Sequence, residues 1–375
     1  MAHVNPPYRC DAVGSFLRPK SLAQARARFA AGQISRAQLT EIEDAAIADL
    51  VRKERENGLT AVTDGEFRRA FWHLDFLVAL GGVRRVPAEA WSVRFEGRQP
   101  KAETAVIEGR VHFLESHPFL EAFDRLKAIA GDIPVKFTIP SPSMLHLICC
   151  VREAHYRPIE RYEGSEALLF ADIAQAWRDA LQALYARGCR YLQLDDTSWG
   201  ELCSKEKREA YRARGIDVDA LAERYAACIN EVLRGKPEDL TVTMHICRGN
   251  FRSTWFSSGG YEPEAETLFG GCRVDGFFLE YDTARAGGFE PLRFIRDQTV
   301  VLGLLTSKFP ELEDKEEIKR RIREASRYVP LERLCLSPQC GFASTEEGNL
   351  MSEEQQWAKV RLARDIAREV WPDAR

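Results

Sequence analysis

Apolar and polar positions alternate in eight short runs, each stopping at glycine, proline, serine or an acid. They are "CDAVGSF" (10–16), "LTAVTDGE" (59–66), "VKFTIPSP" (135–142), "YLQLDDT" (191–197), "TVTMHICRG" (241–249), "GFFLEYD" (276–282), "VVLGLLTS" (300–307) and "LCLSPQCG" (334–341). A period of two marks a β-strand. Between several of them the apolar spacing changes to three and four, as in "RAQLTEIEDAAIADLVRKEREN", "LLFADIAQAWRDALQALYARG", "VDALAERYAACINEVLRG" and "KEEIKRRIREASRYV". That is the spacing of amphipathic helices, which close here near glycine or proline. Strands alternating with helices imply βαβ crossovers and a parallel sheet, and eight such units predict a (β/α)8, or TIM, barrel.

Residues 67–120 interrupt this rhythm, and "WSVRFEGRQP" and "TAVIEGRVHF" within them alternate around a turn-rich middle. They predict a β-hairpin inserted after the second strand, above the barrel mouth. No linker or low-complexity tract divides the chain, so residues 1–375 are expected to form a single catalytic domain.

Charge narrows the partners. Lys plus Arg number 53 and Asp plus Glu 57 across 375 residues, a net −4 with a pI near 6.1 and no long run of one sign. Nucleic acid and anionic membrane are therefore excluded as main partners. The N-terminus "MAHVNPPYRC" has no apolar signal region and no long window is free of charge, which predicts a cytoplasmic protein. Its ten cysteines are expected to be reduced. Cys149 and Cys150 are adjacent and share no face, whereas Cys189, Cys228 and Cys272 sit in apolar stretches and read as small buried hydrophobes. Cys247 and Cys340 instead lie at strand ends beside glycine or proline.

In a barrel of this kind the chemistry collects at the C-terminal strand ends. Those ends carry Ser15, Asp64 with Glu66, Ser141 with Ser143, Asp195 with Asp196, His245 with Cys247, Glu280 with Asp282, Lys308 and Cys340. Any one of these acids alone could be a helix cap or a surface charge. His245 and Cys247, two apart on a strand, point the same way, and an ordinary buried pair is the alternative to a metal site. With Glu280 and Cys340 from neighbouring strands they supply the thiolate, imidazole and carboxylate donors that tetrahedral zinc favours.

These motifs together resemble the cobalamin-independent methionine synthases, and more closely the short single-barrel proteins similar to their C-terminal catalytic half; the resemblance runs over residues 8–372. It implies that Gly14 and Ser15 of "VGSFLRP" bind the carboxylate of homocysteine. Glu66 of "TDGEFRR", with Asp195 and Asp196 of "LQLDD", would hold its amino end, and Ser141 and Ser143 are further candidate substrate contacts. His245, Cys247, Glu280 and Cys340 match the zinc ligands in order. A zinc-bound thiol is ionised and attacks an electrophilic carbon directly; Glu280 is the candidate for the ligand that an entering sulfur displaces.

The chain departs from the family in lacking the first barrel of the full-length synthases. Where they keep a histidine after the seventh strand it reads "LLTSKFPE", with Lys308 and Phe309, and where they carry a tryptophan after the third strand it reads "IPSPSMLH". The alkyl donor therefore stays open among methyl-folate, a methyl-cobamide protein and an epoxide. Lys308 and Asp196 are the candidate catalytic residues, Lys308 as the group that meets the leaving group, with a solvated loop lysine as the alternative. The leading expectation is a zinc-dependent S-methyltransferase of methionine biosynthesis that acts on homocysteine. A coenzyme M–epoxide alkyl transferase is the second reading, for which Arg248 or Arg252 would meet the sulfonate, and a zinc or thiol sensor is the third.

Overall fold

The structure, a computed structural model, describes residues 5–88 and 103–374. Two antiparallel strands come first, β1 (Gly81–Pro87) and β2 (Glu103–His112). Six parallel strands follow: β3 (Phe137–Pro140), β4 (Tyr191–Asp196), β5 (Thr241–Ile246), β6 (Gly276–Glu280), β7 (Thr299–Leu305) and β8 (Leu334–Pro338), each hydrogen-bonded to the next in chain order. The long helices fall at or near the predicted stretches, at Arg36–Glu56, Glu166–Ala186, Val218–Leu233 and Lys315–Ala325. A capping box at Ser35 and Gln38 starts the first of them and the Asp314 side chain caps the last.

The first two expected strands are extended segments joined to the sheet by single bridges. Cys10 bridges to Leu336 of β8, Ser15 to Gly65, and Val62 to Val135 ahead of β3, all in parallel sense. Side chains take the place of a longer ladder there. The Glu54 carboxylate accepts the Thr63 amide at 3.1 Å, Thr63 Oγ1 accepts the Gly65 amide at 3.0 Å, and Asp64 Oδ1 accepts the Glu66 amide at 2.9 Å.

The inserted segment also differs in detail. "TAVIEGRVHF" is indeed a strand arm, within β2, but the partner it pairs with is residues 81–87. "WSVRFEGRQP" (91–100) lies outside the described residues.

Every residue of β3, β4, β6 and β8 is buried, as expected for parallel strands covered on both faces. The two faces lead to different places. Phe137, Leu192, Leu194, Val242, Met244, Leu279, Val300 and Leu336 join one large core with helix residues such as Ile47, Trp177, Ile229 and Ile366. Their alternate neighbours Phe278, Val301 and Cys335 pack with Val13 in a small separate cluster, and Tyr191 packs with Tyr8 and Ala61 in another. Beside these clusters the ammonium of Lys136 lies 3.7 Å from the Phe278 ring centre, 3.4 Å from Asp11 and 2.5 Å from the carbonyl of Ala12. The second face, the one that His245 shares with Phe278, carries the polar groups that matter next.

Candidate metal centre and its cavity

β5 and β6 end with His245, Cys247 and Glu280 on one face, and the turn after β8 brings Cys340 to them. One ligand atom from each of these four buried residues lies within 4.8 Å of the others, the single group of this kind among the described residues. The two sulfurs are 3.6 Å apart and unbridged; all ten cysteines are free.

The surroundings aim these atoms. His245 Nδ1 is 3.2 Å from the carbonyl of Phe278, so the proton belongs on Nδ1 and Nε2 presents a lone pair. Nε2 is buried and has no hydrogen-bond partner. Glu280 Oε1 accepts the Arg248 amide at 3.2 Å and Oε2 accepts from Arg285 at 3.1 Å. The Cys247 sulfur accepts the Gly249 amide at 3.3 Å.

Electrostatics fit a cation at this point. The hydrogen bond from Cys340 and burial push the Cys247 thiol well up. Burial also opposes ionisation of Glu280, but Lys308, Arg285 and His245 outweigh it and hold that carboxyl below its ordinary range. An unpartnered imidazole nitrogen facing two crowded sulfurs and a charged carboxylate is a donor set that suits tetrahedral zinc.

Three of the four donors, His245, Cys247 and Cys340, border a cavity also lined by Ser15, Glu66, Asp195, Trp72, Arg152 and Asn250, among others. Ser15 is held close to the turn after β8, where a Cβ on Gly341 would come within 1.9 Å of its Oγ. Glu66 follows Gly65 in the left-handed region, both with φ of 61°. For a glutamate that conformation is costly and persists only where the surroundings impose it. It turns the carboxylate into the cavity, where Oε1 is 3.6 Å from Arg69 and the buried Oε2 has no partner. Burial, countered by Arg69 and reinforced by the charge of Asp195, lifts the Glu66 carboxyl to about 7. Asp195, one Gln193 amide bond of 2.7 Å away from isolation, is likewise raised by burial.

Other expected site residues go elsewhere. Asp196 points to the opposite face of β4 from Asp195. It accepts the Ser198 amide at 2.6 Å and bonds the Ser143 hydroxyl, which is 2.9 Å from Ser141. Asp196, Ser141 and Ser143 thus bond one another in a capping group, and the cavity is lined by Asp195 and Met144 beside them. Gly14 offers its carbonyl to Thr63. Lys308 is neither solvated nor aimed at the cavity: it is 1 % exposed, its ammonium bound by three oxygens. Trp72, His73, Arg152, Asn250, Phe251 and Phe256 line the cavity and were not singled out in the sequence, because they stand in irregular segments where no period marks a face.

The profile of the family described as "Cobalamin-independent synthase, Catalytic domain" matches residues 9–369. The chain belongs to this family. Among synthase relatives, the methionine synthase of Saccharolobus solfataricus is 24% identical over 335 residues, covering 88% of this chain and 86% of that protein. The uncharacterized protein YxjG of Bacillus subtilis is 50% identical over 368 residues, 98% of this chain and 95% of that one. In structure, a putative vitamin-B12 independent methionine synthase from Listeria monocytogenes has a TM-score of 0.76 at 42% identity, covering 97% of this chain and 98% of the other. A B12-independent methionine synthase from Shewanella, solved with selenomethionine, shares the fold at a TM-score of 0.71 and 18% identity, over 96% and 97% of the two chains. Membership in the synthase family supports a methyltransferase activity in general. No helix of the described residues is long and apolar enough to cross a membrane.

Proposed function

We propose that the chain is a zinc-dependent methyltransferase that converts homocysteine to methionine on a single (β/α)8-barrel domain. The bridges from Cys10, Ser15 and Val62 support the barrel, since they link the two weak segments between β8 and β3. His245, Cys247, Glu280 and Cys340 would hold zinc, which supplies the ionisation of a coordinated thiol. The observation that carries the substrate is Glu66. An unpartnered carboxylate oxygen buried beside Asp195, in the cavity that the two cysteines border, is complementary to the ammonium of an amino-acid thiol. Ser15, at the same cavity, is placed to meet the carboxylate. Holding the thiol at both charged ends orients its sulfur, and orientation alone can be worth roughly 7–11 kcal/mol of the barrier.

The coenzyme M reading is less well supported. A sulfonate calls for free guanidinium groups at the cavity; the Arg248 guanidinium is buried without hydrogen-bond partners, but its Cζ stacks 4.4 Å from the Tyr261 ring centre and it does not line the cavity, and Arg252 is bonded to the carbonyl of Glu347. Arg152 does line it, already paired with Glu201. Zinc-loaded protein incubated with homocysteine or coenzyme M, and with methyl-folate, a methyl-cobamide protein or an epoxide in turn, decides the matter by mass spectrometry. Methionine is the expected product; alkylated coenzyme M alone would overturn the reading, and no product with any pair would favour a sensor.

Glu66 also sets a pH dependence. An ammonium prefers the ionised carboxylate, so binding tightens as pH rises through the raised value of about 7. Between pH 6 and 8 the ionised fraction rises about tenfold, and the affinity for methionine, whose thioether does not titrate, is expected to follow. Calorimetry on wild type and Glu66→Gln tests this: the variant should bind weakly and without that slope, and a flat wild-type profile would remove Glu66 from the ammonium site.

A further inference from the structure

We propose that Lys308 is a positioning residue that pins the loop 248–256 against the cavity. Its backbone is fixed first. The Lys308 amide donates to Thr306 Oγ1 at 3.2 Å, the Ser307 amide to Gln339 Oε1 at 2.9 Å, and the Ser307 carbonyl accepts from Asn349 at 2.8 Å. From this anchor the side chain runs inward. Nζ donates to the Gly249 carbonyl at 3.0 Å, to Asn250 Oδ1 at 3.2 Å and to the Thr254 carbonyl at 3.2 Å. An ammonium has three protons and all three are used.

The acceptors lie on both limbs of one loop, and that loop needs holding. Gly249, Arg252 and Ser253 all take positive φ, at 94°, 44° and 68°. Two consecutive left-handed residues other than glycine cost energy that external contacts must offset. Asn250 donates to the Gly341 carbonyl at 2.6 Å and Ser253 to Asn349 at 2.7 Å, and the Phe256 amide closes the loop on the Arg248 carbonyl at 3.2 Å; Lys308 reaches in from outside and bonds both limbs. The loop begins at Cys247, whose sulfur accepts the Gly249 amide, and it supplies Asn250, Phe251 and Phe256 to the cavity wall. Replacing the ammonium by an apolar group removes the donor to the buried Gly249 carbonyl and to Asn250 Oδ1, leaves the Thr254 carbonyl only the Phe251 amide, and frees the strained turn.

The proposal rests on the metal reading only for the role of Cys247, and its main readout needs no substrate. In zinc-loaded Lys308→Met, hydrogen exchange at residues 249–256 should accelerate tenfold or more while β5 and β7 stay protected. Turnover of homocysteine should show a raised KM, a smaller fall in kcat, the same factor with every donor, and a pH profile of unchanged shape. Unchanged exchange in the loop overturns the proposal, and so does a rate loss that grows with the basicity of the leaving group. Should the methionine variant not fold, Lys308→Gln, which keeps an amide donor, is measured the same way, with intermediate exchange expected and wild-type exchange overturning the proposal. Failure of homocysteine methylation in the wild type would refute the proposed function and leave the exchange result standing.

Discussion

Cys247→Ser and Cys340→Ser are each expected to lose most of their zinc and all measurable methylation. Structural zinc sites bind with about 10–16 kcal/mol shared among four ligands, so one ligand is worth roughly 3 kcal/mol, or about two orders of magnitude in affinity. The geometry makes both sulfurs necessary. They stand 3.6 Å apart, and His245 Nε2, which has no other partner, completes the group with Glu280. Metal analysis after dialysis against a weak chelator is the measurement. Cys150→Ser, a half-buried cysteine outside the cluster, should keep a full equivalent. One zinc per chain in both cluster variants would defeat the assignment.

The second large effect is expected at Asp195. Its carboxylate faces the cavity with Glu66, and burial already presses both toward protonation. An ammonium between them relieves that cost, and a charged hydrogen bond of this kind is worth roughly 1.5–3 kcal/mol. Asp195→Ala should therefore raise the KM for homocysteine about tenfold to a hundredfold, while simple thiols without an amine are affected little. Steady-state kinetics with homocysteine and an amine-free thiol in parallel separate this from general damage to the fold. Equal losses on both would remove Asp195 from ammonium recognition.

Much of this was readable in the alternation of residues. The six runs that became β3 to β8 carry unbroken apolar positions on the core-facing side, so the ladder and the pattern agree. The runs at 10–16 and 59–66 have the same alternation, but they also contain Asp11 in the first and Thr63 and Asp64 in the second, and side-chain bonds to the backbone displaced the ladder. "GGVRRVP" escaped notice as a strand because two glycines and a proline bracket only four residues, Val83, Arg84, Arg85 and Val86, whose adjacent arginines break the alternation. The candidate metal donors His245 and Cys247 were legible because i and i+2 share a face. That same rule separates Asp195 from Asp196, and grouping the two as one pair overlooked it. Lys308 was opaque for a different reason: its three acceptors come from a loop more than fifty residues away in sequence, and no local pattern records a buried ammonium whose partners are mostly carbonyls.

The packing of Lys136 has a kinetic consequence. Its ammonium, with Phe278, Val301, Cys335 and the Tyr191 ring, fills the space on the inner face of the strands, a packed floor on the side of the cavity away from Phe71, Trp72, Phe251 and Phe256. A closed floor imposes an order on visitors. On the proposed reading a thiol, whose sulfur belongs with the cysteines at the strand ends, would enter before a donor large enough to cover it, and its product would leave after the spent donor.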